Sequence, residues 1–101
     1  MIPGQKLPPC KCIAIDVDGT LLINGQINHA LANWAKAKHA AGFEIIVWSA
    51  RGTLHAQRAA HAADLTSIAA AVVSKPGFLV DDQGWEWARY TAVITNLDAP
   101  A

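Results

Sequence analysis

Residues 12–17, Cys-Ile-Ala-Ile-Asp-Val, form a short apolar run with β-branched side chains that ends on a carboxylate. Apolar residues at consecutive rather than alternate positions predict a strand buried on both faces. Residues 43–48, Phe-Glu-Ile-Ile-Val-Trp, repeat the pattern. Between the two runs, Asn24-Gly25 stands among apolar residues and predicts a small hairpin within residues 21–27. Asn28 is placed to cap a helix running to about Ala41. Its inner face would carry Ile27, Leu31, Trp34 and Ala35, with Lys38 at the edge and Gly42 as the stop. A second helix is expected from Gly52 or Thr53 to about Ala63, then a helical turn near 66–70 and a third strand at Ala71–Ser74. Pro76-Gly77 breaks the chain. Phe78–Asp81 reads as a fourth strand, Gly84–Tyr90 as a short helix and Thr91–Thr95 as a fifth, edge strand. Residues 1–10, with prolines at 3, 8 and 9, read as an irregular lead-in. Strands alternating with helices imply a parallel sheet covered on both sides, with ligands bound beyond the carboxyl ends of its strands.

One domain is expected from 101 residues. The apolar fraction of 52% is enough for a core, but much of it is alanine, which brings little buried area per residue. The formal net charge is zero and no Lys/Arg run occurs, so there is no electrostatic footprint of a general nucleic-acid binder. No run approaches the ~18 apolar residues of a membrane span, and the start of the chain has no apolar segment of the kind that opens a signal peptide. Cys10 and Cys12 are the only cysteines. Two positions apart on an extended chain they face opposite ways, too few for a zinc site and badly placed for a disulfide. They read as buried or half-exposed free thiols in a reducing compartment, which points to the cytoplasm.

Four of the eight acidic residues, Asp16, Asp18, Asp81 and Asp82, fall at the ends of the expected strands. Like charges crowded at one end of a sheet are costly unless a cation sits among them. Hard oxygen ligands of this kind suit Mg²⁺. Asp is also common in turns, and Asp18-Gly19 alone would read as one. Gly19 lets the chain leave the strand sharply and can aim backbone N–H groups at an anion. The second strand ends Ser49-Ala50-Arg51-Gly52, placing a hydroxyl before a helix start, where it suits either a phosphate oxygen or a cap. Lys75 follows the third strand. His29, His39, His55 and His61 read as surface or edge residues, although His55 and Arg51 lie near this presumed phosphate site. Trp48 reads as core, while Trp85 and Trp87 suit packing, an interface or stacking on a substrate ring.

The run Asp16-Val17-Asp18-Gly19-Thr20-Leu21 resembles the first motif of the haloacid dehalogenase superfamily. Ser49 matches the hydroxyl of its second motif, Lys75 the lysine of its third and Asp81-Asp82 the acidic pair of its fourth. The resemblance implies a Rossmann-like three-layer α/β sandwich with a five-strand parallel sheet. It implies Asp16 as nucleophile and Mg²⁺ ligand. Asp18 would be the general acid/base and give the metal its backbone carbonyl. Ser49 would bond a phosphoryl oxygen, with Gly19, Ala50 and Arg51 beside it. Lys75 would steady the nucleophile and the phosphate charge, and Asp81 and Asp82 would complete the metal site. Dehalogenase-like members do without the second acid, so Asp18 favours phosphoryl chemistry.

Residues 22–42 hold a hairpin and a helix, and residues 53–74 a helix, a turn and a strand. Neither interval has room for an inserted cap domain. An open site admits bulky phosphorylated substrates, or a second copy of the chain as its lid. The expectation is a Mg²⁺-dependent phosphohydrolase working through an aspartyl-phosphate. The rivals are a phosphotransferase or phosphomutase with the same residues, and a catalytically idle binding protein. A receiver-type phosphoacceptor module is disfavoured, because there the acidic pair precedes the phosphoacceptor strand.

Overall fold

The computed structural model describes residues 10–95. Except for Cys10, the expected lead-in lies outside them. The elements are β1 (Cys12–Asp16), β2 (Leu22–Ile23), β3 (Gln26–Ile27), α1 (His29–Ala40), β4 (Glu44–Ser49), α2 (Thr53–Ala62), β5 (Ala69–Ser74) and a 3₁₀ helix (Gly84–Tyr90). The main sheet has three parallel strands in the order β1-β4-β5. β2 and β3 form a separate antiparallel hairpin. Its turn residues, Asn24 at φ 52° and Gly25 at φ 74°, are both left-handed, the geometry that matches the twist of a two-residue hairpin.

Local chemistry explains the helix limits. Asn28 Oδ1 accepts from Leu31 N–H at 3.2 Å and caps α1. At the other end, Gly42 N–H donates to His39 O (2.9 Å) and Phe43 N–H to Lys38 O (3.0 Å), the paired bonds of a Schellman stop. α2 ends the same way, through Asp64 N–H to His61 O (3.0 Å) and Leu65 N–H to Ala60 O (2.8 Å).

Both crossovers step across the sheet in one direction. Right-handed connections then put α1 and α2 on the same face. The core agrees: Ile15, Ile45 and Val47 from the sheet pack with Leu31, Ala32 and Ala35 of α1 and with Ala56, Ala59 and Ala60 of α2. The alternate positions carry Ala14, Ile46, Trp48, Ala71 and Val73 on the opposite face, where none is fully buried.

This corrects the expected architecture. Among the described residues the sheet has three strands and not five, and it is covered on one face and not two, so the three-layer Rossmann-like sandwich implied by the resemblance is not formed. Phe78–Asp81 and Thr91–Thr95 are not strands. An apolar run becomes a strand only with a partner for its backbone and side chains; Phe78 and Val80 are instead almost fully exposed, at 95% and 101%. Trp48 is half-buried on the open face rather than in the core. Trp85 and Trp87 are exposed and line a shallow depression with Pro76, Phe78 and Leu79. Cys10 and Cys12 are free, as expected, but exposed. Residual burial, then Glu44 and Cys10, push the Cys12 thiol above its ordinary range, which disfavours the thiolate. Among the described residues no helix is long and apolar enough to cross a membrane.

Six of the thirteen core residues are alanine, so the core yields little burial energy per residue and single local interactions weigh heavily. Asn28→Ala should therefore cost about 1 kcal/mol, read as a lowered midpoint of urea unfolding with an unchanged slope.

Candidate functional site

The carboxyl ends of β1, β4 and β5 lie side by side, because Asp16 pairs with Trp48 and Ser49 pairs with Ser74 in the ladders. Asp16 ends β1, and its side chain is 36% exposed. The chain then folds into a tight loop. Thr20 and Leu22 N–H donate to Val17 O (3.1 and 2.9 Å), Leu21 N–H to Asp16 O (3.2 Å) and Gly19 N–H to Leu22 O (2.8 Å). Gly19 stands at φ 78°, a conformation that side chains disfavour. Val17 and Leu21 are fully buried and anchor the loop from below. Gly19 is thus needed for the turn, but its N–H is committed within it, contrary to the expectation that it faces an anion.

The loop after β4 is fixed by Ser49. Its side chain is 1% exposed, and its Oγ accepts from Arg51 N–H at 3.0 Å. Ser49 O accepts from Gly52 N–H (3.1 Å) and Lys75 N–H (2.9 Å), which ties the ends of β4 and β5 together. Ser49 therefore serves as a loop-fixing residue, while its hydroxyl proton remains its own to give. Ala50 is exposed beside it. Thr53 Oγ1 accepts from Ser74 N–H at 3.0 Å and lies 3.1 Å from Ser74 Oγ, pinning the start of α2 to the end of β5. Among the described residues no side chain caps α2, whose first N–H groups stand at this end of the sheet.

Two charge pairings follow. Lys75 Nζ stands 4.0 Å from Asp16 Oδ1. Asp18 Oδ1 is 3.1 Å from His55 Nε2 and 3.7 Å from Arg51 Nη1. These side chains are partly solvated, so the pairs add little to stability; their effect is to hold two carboxylates among cations at one sheet end. Asp16, Asp18, Ser49, Ala50, Arg51 and Lys75 are brought to this end as expected. His55 was not picked out beyond its nearness. Arg51 precedes the cap of α2 and His55 stands in its first turn, so nearness to the end of β4 was the available signal.

Asp81 and Asp82 are exposed on the segment after β5, where Asp81 Oδ1 accepts from Gln83 N–H at 2.8 Å. Among the described residues no group of three or more His, Cys, Asp or Glu side chains converges on a point that could hold a metal ion. The expected set of Asp16, Asp18, Asp81 and Asp82 is therefore not assembled. The donors left at the strand end are the Asp16 carboxylate and the oxygens of Asp18. Mg²⁺ is commonly held by one or two protein oxygens, with water and substrate phosphate completing its shell, and this smaller set fits that habit.

Comparison of the chain with protein-family models, with characterised proteins and with solved structures finds no match.

Proposed function

We propose that the chain is a phosphate-monoester hydrolase in which Asp16 is the nucleophile and Asp18 the general acid/base. The observation that carries this reading is the convergence at one sheet end of Asp16 with Lys75, and of Asp18 with Arg51 and His55. A nucleophile needs exposure, and Asp16 has it. It needs a nearby cation to reduce repulsion from an incoming dianion, and Lys75 supplies one. Asp16 attacks phosphorus, the ester P–O bond breaks, and Asp18 gives its proton to the leaving oxygen. Water then attacks the phosphorus of the aspartyl-phosphate and loses a proton to Asp18, which frees phosphate and restores the Asp16 carboxylate and the protonated Asp18. Arg51 and the start of α2 offer further positive potential to the phosphoryl oxygens.

Mg²⁺ would be held by the Asp16 carboxylate and the Asp18 main-chain carbonyl. When bound it supplies Lewis-acid stabilisation of phosphoryl charge. Asp16, Asp18 and Lys75 are part-exposed among the described residues, which gives bulky phosphorylated substrates access.

A screen of phosphate monoesters with and without Mg²⁺ tests the reading, spanning aryl phosphates, sugar phosphates, nucleotides and end-phosphorylated oligonucleotides. Release of inorganic phosphate from at least one class is expected. Chelation by EDTA should abolish it and added Mg²⁺ restore it. No release from any ester would sink the assignment; transfer to an added alcohol in preference to water would recast it as a phosphotransferase.

A further inference from the structure

We infer that His55 is a positioning residue that fixes which oxygen of Asp18 carries the catalytic proton. The inference rests on the phosphohydrolase reading. His55 Nε2 lies 3.1 Å from Asp18 Oδ1, and Arg51 Nη1 approaches the same oxygen at 3.7 Å. An ionised carboxylate only accepts hydrogen bonds, so Nε2 carries the hydrogen that meets Oδ1 when Asp18 is charged. With Oδ1 engaged by the His55 ring and facing the Arg51 cation, Oδ2 is left as the oxygen that takes up and releases the proton.

The two contacts are not equivalent. The Arg51 side chain is 68% exposed and long, so it holds Asp18 loosely. The His55 ring is only 23% exposed and rises from the first turn of α2, which Thr53 ties to Ser74 at the end of β5. Asp18 is itself 49% exposed, and it lies on the loop beyond β1 rather than on the strand. A short rigid side chain on a pinned helix start thereby orients a half-exposed carboxylate on the loop beyond β1.

Proton donation matters most when the leaving oxygen is a poor one. His55→Ala should slow phosphoryl transfer to Asp16, followed in single-turnover experiments, roughly 10–100-fold on an alkyl phosphate, the scale of loss for a misplaced catalytic group. The loss should be at least ~10-fold smaller on p-nitrophenyl phosphate, whose leaving group needs little protonation, and KM should stay nearly constant on both. His55→Gln, which keeps an N–H donor, should recover part of the alkyl-phosphate rate. Equal losses on the two esters, or a change confined to KM, would overturn the inference while leaving the hydrolase reading intact. A second readout needs no turnover. In the ¹⁵N spectrum of the His55 ring, the wild type should show a hydrogen-bonded Nε2–H that Asp18→Asn disturbs. A ring unaffected by Asp18→Asn would also overturn it, whether or not any ester is cleaved.

Discussion

Asp16→Asn should remove phosphatase turnover nearly altogether, by roughly 10⁴-fold or more, the scale seen when a covalent nucleophile is deleted. Asparagine keeps the shape of the side chain and removes the charge that attacks phosphorus. Stability should barely change, because the pair lost, Asp16 with Lys75 at 4.0 Å, is partly solvated on both sides. A thermal melt within a few degrees of wild type, beside lost phosphate release, separates a missing nucleophile from a missing fold. The measurement is steady-state release of phosphate from whichever ester the wild type cleaves best, with Mg²⁺ present. A variant that keeps near-normal turnover would remove Asp16 from the chemistry.

The second large effect is expected at Asp18. Asp18→Asn should slow turnover by about 10²–10⁴-fold, the usual contribution of a positioned proton-transfer group. The two half-reactions are expected to respond differently. With an activated aryl ester the leaving oxygen departs without much help, so phosphoryl transfer to Asp16 continues. The attacking water still needs a base, so the aspartyl-phosphate should accumulate. Rapid-quench experiments on Asp18→Asn should then show a burst of aryl alcohol, close to one equivalent of enzyme, followed by a slow steady state. A slow rate with no burst, matching the loss on alkyl esters, would mean that Asp18 does not serve the second step.

The elements fixed by near neighbours were legible in the sequence. Asn24-Gly25 turns the hairpin, Asn28 opens α1, Gly42 helps to close it, and Gly84–Tyr90 forms its short helix. Each depends on residues a few positions apart, so its chemistry is visible locally. The sheet was harder to read. The runs at 12–17 and 43–48 look buried on both faces, yet one face remains open, because two crossovers of the same hand put both helices on the other. Phe78–Asp81 has the apolar character of a strand without a partner to make it one, and Asp81 and Asp82 are consequently not carried to the strand ends. The site shows the same division. Asp16, Ser49 and Lys75 were found because strand ends are predictable from where apolar runs stop. His55 meets Asp18 through the docking of α2 beside the loop after β1, a relation 37 residues apart that periodicity does not encode.

The account depends on a covalent bond between Asp16 and phosphorus. The most direct measurement is to quench the wild-type enzyme during turnover of its best ester, reduce the acyl phosphate with borohydride, and locate the modified side chain by mass spectrometry. The account predicts conversion of Asp16, and of no other carboxylate, to the homoserine that such reduction yields. Modification at Asp18, Asp81 or Asp82 instead, or turnover that passes through no trappable acyl phosphate, would contradict it.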